Sequence, residues 1–134
     1  MTLYVDSSAL LKRYVDEPDS AAAVELLDSD PSLVTSRITL VEVRRNLARL
    51  LAPEEATAAK ATFHGDLTAF SLVELDHVTC EGAATIAELL GVRTLDAIHL
   101  ATAQRLGGSA MPFLTYDLRQ AQAARTLGFA VLGT

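Results

Sequence analysis

A three-layer α/β/α sandwich around a mostly parallel sheet of about five strands is the fold class this sequence predicts. Three observations support it. Short apolar runs alternate with longer segments of helical period along the whole chain. Two of the runs, TLYVD and PFLTYD, read as continuous apolar stretches rather than strict alternations, as strands covered on both faces do. No Ser/Gly-rich linker, internal repeat or charge block divides the 134 residues, so one domain spanning 1–134 is expected.

The predicted strands are 2–6, 32–36, 71–75, 112–117 and 129–133. Between the first two, SSALLKRY reads as a helix, and Asp16-Glu17-Pro18-Asp19 opens another with proline near its first turn. Residues 39–51 carry apolar side chains at 40, 43, 47, 50 and 51, near the helical period. Pro53 starts a further helix through Phe70. TCEGAATIAELLG and TLDAIHLATAQRLG follow, each closing on a glycine that suits a left-handed cap. DLRQAQAARTLG precedes the last strand.

Half the residues are hydrophobic and 21% are charged, which excludes wholesale disorder. With no Trp and 5% aromatics, the core must be built of Leu, Val, Ile and Ala. Cys80 is the one cysteine, so an internal disulfide and a thiolate metal cage are both excluded. Its place is expected in the core, and a reducing cytoplasm fits such usage. The first residues lack the charged and apolar regions of a signal peptide, and no segment reaches the length of a membrane helix. A net charge of −6 disfavours a general nucleic-acid coater. Contact with nucleic acid then requires a local site that reverses the field, as carboxylates holding divalent cations do.

The acids fall where such a site forms. Asp6 ends the first strand and Asp117 the fourth, while Glu42 and Asp96 lie in the first turns of their helices. Sites in open α/β sheets lie at the carboxyl ends of strands. Each acid alone has a plainer explanation. Asp6 suits a helix cap, Thr39-Leu40-Val41-Glu42 matches a capping box, and Asp96 and Asp117 suit positive helix ends. Four like charges on one edge repel, however, and caps alone could be Ser, Thr or Asn. A cation offsets that cost, and oxygen ligands in this number suit Mg²⁺ or Mn²⁺ rather than zinc.

The stretches YVDSSALLKRY, VEVRRNL, RTLDAIHLATA and FLTYDLRQAQAARTLGF, spread over nearly the whole chain, resemble the PIN-domain ribonucleases, specifically the VapC-type toxins of bacterial toxin–antitoxin pairs. The resemblance implies a PIN-like sandwich and metal-dependent hydrolysis of RNA. It places the family's acids on Asp6, Glu42, Asp96 and Asp117. Asp6 and Asp96 are then direct ligands, Asp117 a direct or water-mediated one, and Glu42 a ligand or a base on the attacking water. Ser7 and Thr115 match the family's small hydroxyl residues, which support carboxylates or waters. The resemblance further implies a homodimer and a cognate VapB-type antitoxin that brings an apolar helix or strand with a basic residue to the acidic site.

Arg45, Asn46 and Arg49 share a helix face with Glu42 and are candidate phosphate contacts, as are Lys12, Arg13 and Arg93; plain surface pairing explains them as well. Leu47, Leu50, Leu51, Phe63, Leu67 and Phe70 form a candidate antitoxin surface or, for most of them, simply core. His99 reads as a packed helix histidine, and His64 and His77 as surface. Two other functions stay open. One is a PIN nuclease of RNA processing or DNA cleavage, which shares every motif. The other is a non-enzymatic, receiver-like Mg²⁺-binding module, disfavoured because no lysine follows Lys60.

Overall fold

Strand β1 (Thr2–Val5) divides its side chains between two cores. Leu3 and Val5 point to one side of the sheet, where they meet Ala9, Leu10, Leu27, Val43, Leu47, Phe63 and Leu67. Tyr4 points to the other, among Ala83, Ile86, Ala97, Leu100, Phe113, Ala124 and Phe129. Both cores exist because β1 is central and covered on both faces, as its apolar run requires. The computed structural model describes residues 2–134.

Helices α1 (Ser7–Leu11), α2 (Ser20–Asp28), α3 (Ile38–Leu50) and α4 (Pro53–Leu67) cover the first face. Helices α5 (His77–Leu90), α6 (Thr94–Leu106) and α7 (Leu118–Thr126) cover the second. The remaining strands are β2 (Ser32–Ser36), β3 (Ser71–Val73), β4 (Phe113–Leu114) and β5 (Val131–Leu132). All pair in parallel, in the order β3-β2-β1-β4-β5. The chain winds outward from β1 to β3, then crosses over to start again at β4. The strand order therefore reverses between β1 and β4, and a crevice opens above their carboxyl ends. All five predicted strands and the expected sandwich are present.

The boundaries differ for local reasons. The fourth strand shortens to Phe113–Leu114: the Thr115 amide still donates to the Leu132 carbonyl, but side chains from Thr115 to Asp117 turn to Asp6 and the α7 cap. The helix read from Thr79 starts at His77, with Asp76 as its cap accepting from the Thr79 amide. Gly91 takes the expected left-handed cap at φ 68°. Gly107 does not: its φ is −159°, and the left-handed residue is Gly108 at 52°. The Thr39–Glu42 capping box is not formed, since α3 already begins at Ile38 and Thr39 Oγ1 lies 2.7 Å from Thr35 Oγ1. Cys80, expected in the core, is exposed on α5 beside buried Thr79.

Of the candidate antitoxin surface, Leu47, Phe63 and Leu67 are core, Leu51 and Phe70 are half-buried, and only Leu50 is exposed. Large exposed aliphatics instead flank three acids in sequence: Val41 before Glu42, Leu95 before Asp96 and Leu118 after Asp117. Among the described residues, no helix is long and apolar enough to cross a membrane.

Candidate functional site

Asp6 ends β1 at the switch point and caps α1. Its Oδ1 accepts from the Ser8 hydroxyl at 2.6 Å and the Ala9 amide at 3.2 Å. Its Oδ2 accepts from the Thr115 hydroxyl at 2.6 Å. Each supporting hydroxyl is itself held. Ser8 Oγ accepts from the Tyr116 amide at 2.9 Å, and Thr115 Oγ1 from the Asp117 amide at 3.1 Å. One polar web therefore joins the ends of β1 and β4 to the starts of α1 and α7. Asp6 is 3% exposed. Burial pushes its carboxyl above the usual range, partly offset by His99, the two hydroxyls and the Ala9 amide.

Asp117 caps α7, its Oδ1 accepting from the amides of Arg119 at 2.9 Å and Gln120 at 3.1 Å. That leaves Oδ2 for the Arg93 guanidinium, whose Nη2 lies 3.4 Å away. The same guanidinium donates from Nε to Asp96 Oδ2 at 3.3 Å. Buried Gln120 donates from Nε2 to the Asp96 carbonyl at 3.1 Å and so ties the start of α7 to the start of α6. Burial raises the Asp96 carboxyl, Arg93 lowers it, and the Asp117 charge raises it again. The mutual repulsion expected from the sequence is thus present between these two acids.

Glu42 reaches from α3 toward α6, where its Oε1 lies 2.7 Å from His99 Nε2. His99 is 1% exposed, and its Nδ1 lies 2.8 Å from the Tyr4 hydroxyl. Tyr4 stacks on Phe113 with ring centroids 5.1 Å apart. The acids are linked pairwise: Asp6 to the Asp117 amide through Thr115, Asp96 to Asp117 through Arg93, and Glu42 to His99. Beside them is an open cleft of about 410 Å³ lined by Glu42, Arg93, Thr94, Leu95 and Asp96.

Some residues fall elsewhere. Ser8, not Ser7, supports Asp6; Ser7 is the first residue of α1 and its hydroxyl makes no hydrogen bond among the described residues. Arg13 is drawn away to Asp28 at 2.8 Å and Asp66 at 4.0 Å, and Lys12 to Glu17 and Asp19. Arg13 is thus engaged with α2 and α4 rather than with the acids of the site. On α3, Asn46 bonds the Glu42 carbonyl and Arg49 bonds Asn46, while Arg45 and Arg49 are exposed. Sequence reasoning missed Tyr4, Ser8 and Gln120. Ser8 carried a signal: a residue two after a cap is well placed to bond back to it. Tyr4 carried another, a hydroxyl in an otherwise apolar buried strand, which must find a partner.

The donor set is made of hard carboxylate oxygens, and burial disfavours the charge on two of them, which suits a small divalent cation. As they stand, no three Asp, Glu, His or Cys side chains among the described residues are grouped to hold an ion. Arg93 spans Asp96 and Asp117, while Asp6 turns both oxygens to hydroxyl donors. The acids fit a cation chemically, provided Arg93 swings aside; its side chain is 69% exposed and is held by its contacts with Asp96 and Asp117.

The PIN domain family model matches residues 3–126. Ribonuclease VapC46 of Mycobacterium tuberculosis is 41% identical over 130 residues, covering 97% of this chain and 95% of the relative. In structure, the chain is similar to FitAcB from Neisseria gonorrhoeae, with a TM-score of 0.76 at 22% identity over 99% of this chain and 97% of that one. It is also similar to Mycobacterium tuberculosis VapC20, described as a sarcin-ricin loop cleaving toxin, with a TM-score of 0.70 at 22% identity over 90% and 94%. The chain therefore belongs to the PIN-domain family, in its VapC group.

Proposed function

We propose that this protein is a divalent-metal-dependent endoribonuclease that hydrolyses RNA phosphodiester bonds as the toxin of a type II toxin–antitoxin pair. The observation that carries the reading is the pairing of Asp96 and Asp117 across Arg93, next to Asp6 through Thr115, with the Asp96 carboxyl raised by burial and by Asp117. Kinship with VapC46 supports RNA as the substrate.

Asp6, Asp96 and Asp117 would hold Mg²⁺ or Mn²⁺. When bound, such an ion neutralises phosphate charge and acidifies water. The chain's own residues do the rest. Ser8 and Thr115 fix both oxygens of Asp6, so its carboxylate is oriented before any ligand arrives. Asp117 spends Oδ1 on the α7 cap and keeps Oδ2 for the site. Glu42 gives Oε1 to His99, leaving Oε2 to take a proton from the attacking water. Once released from the two aspartates, Arg93 is free to bind a phosphate of the RNA, and exposed Arg45 and Arg49 extend that basic track along α3.

The partner would be a cognate antitoxin whose basic residue reaches the acids while apolar residues cover Val41, Leu95 and Leu118. A homodimer working in the cytoplasm completes the reading. Induced expression of wild type and Asp6→Ala in bacteria, with total RNA resolved on gels, tests it. Growth arrest and new RNA cuts are expected with wild type only. Absence of both with well-expressed wild type removes the toxin reading.

A further inference from the structure

Behind Glu42 runs a buried polar chain, Tyr4 Oη–His99 Nδ1 at 2.8 Å and His99 Nε2–Glu42 Oε1 at 2.7 Å. The Tyr4 hydroxyl is placed to donate to Nδ1. The remaining ring proton then sits on Nε2 and is donated to the carboxylate. The plain explanation is that a core histidine has merely satisfied its two nitrogens. Two features go beyond that. The chain does not end in the core but on a half-buried carboxylate lining the cleft. It also joins α3, which carries Glu42, to two elements that mount other acids: β1, two residues before Asp6, and α6, three residues after Asp96.

We propose that His99, backed by Tyr4, is a positioning residue of the nuclease site: it locks one oxygen of Glu42 and thereby aims the other at the attacking water. This rests on the ribonuclease reading above. An edge-on contact between the Tyr4 and His99 rings, centroids 5.9 Å apart, and the Tyr4–Phe113 stack make the mount rigid. Residues that orient a site's carboxylate or ligand in this way are typically worth about 10–100-fold in activity.

The test measures kcat and KM on RNA with Mn²⁺ for wild type, Tyr4→Phe, His99→Ala, His99→Gln, Glu42→Gln and the His99→Ala/Glu42→Gln double variant. Tyr4→Phe removes one hydroxyl and retains the stack on Phe113. We expect His99→Ala to lower kcat by about 10–100-fold with little change in KM. His99→Gln, which restores an N–H donor, should recover part of that loss, and Tyr4→Phe should lose several-fold. The double variant should be no slower than Glu42→Gln alone, because both act through one carboxylate. Wild-type kcat in folded Tyr4→Phe or His99→Ala, or fully additive losses in the double variant, overturns the proposal. If His99→Ala does not fold, Tyr4→Phe and His99→Gln carry the decision. An activity-free readout separates this from the nuclease reading. The His99 Nε2 proton should exchange slowly by NMR in wild type and fast in Glu42→Ala; fast exchange in wild type removes the geometry itself, whether or not RNA is cut.

Discussion

Thr115 does two jobs with one oxygen: it donates to Asp6 and accepts the Asp117 amide. It is fully buried, so neither group finds water if the hydroxyl is lost. Thr115→Val should therefore cost about 1–3 kcal/mol in urea unfolding, with Thr115→Ser recovering most of it. Asp96 is the opposite case. Its carboxylate is met by one exposed arginine and opposed by Asp117. Metal-free Asp96→Asn should melt no lower than wild type, while stabilisation by added Mg²⁺ shrinks; a large drop in the metal-free form would make Asp96 a structural residue. The pH dependence follows. Asp6 and Asp96 have folded values raised above the usual 3.8, so folding favours their protonated forms. Their contribution to stability is complete below that value and is lost as pH rises through the raised folded values. Metal-free Asp96→Asn should then lose less melting temperature than wild type between about pH 4 and neutrality.

Helices α6 and α7 are tied at their starts by Gln120, and strand ends β4 and β5 meet at Gly133. Gly133 has φ 101°, and a Cβ there would lie 2.4 Å from the Thr115 carbonyl oxygen. Gly133→Ala should destabilise the fold by about 1–3 kcal/mol for the backbone conformation alone, and should disturb Thr115 and so the Asp6 mount. An unchanged urea midpoint and an unchanged Thr115–Asp6 hydrogen bond in the variant would show that the chain end simply lifts away. At this level the sequence was legible wherever a pattern is local. Apolar runs marked all five strands, and the acids at strand and helix ends marked the site. What it left hidden is non-local. Strand order, and hence the switch point between Asp6 and Thr115, depends on pairings far apart in the chain. His99 meets Glu42 across 57 positions and Tyr4 across 95. The choice of Ser8 over Ser7 depends on the turn of α1. Cys80 was misplaced because composition alone does not say which flank of a helix faces the sheet.

The whole molecule carries −6, yet Arg93, just before α6, lines the cleft, and exposed Arg45 and Arg49 follow Glu42 along α3. RNA should therefore bind weakly without a divalent ion and more strongly with one. Replacing Arg45 and Arg49 together by Ala should raise KM several-fold with kcat little changed, and the difference should narrow at high salt. Equal KM at low salt would place the RNA on another face. On the proposed reading, the chain should do its chemistry only with a hard cation in place. Cleavage of RNA by purified protein, stripped with EDTA and then titrated with Mg²⁺ or Mn²⁺, with Asp6→Asn and Asp96→Asn in parallel, measures this. The stripped protein should be inactive, the wild type restored by either ion, and both variants at least about a hundredfold slower at saturating ion. Full cleavage in EDTA, or wild-type rates in Asp96→Asn, would contradict it.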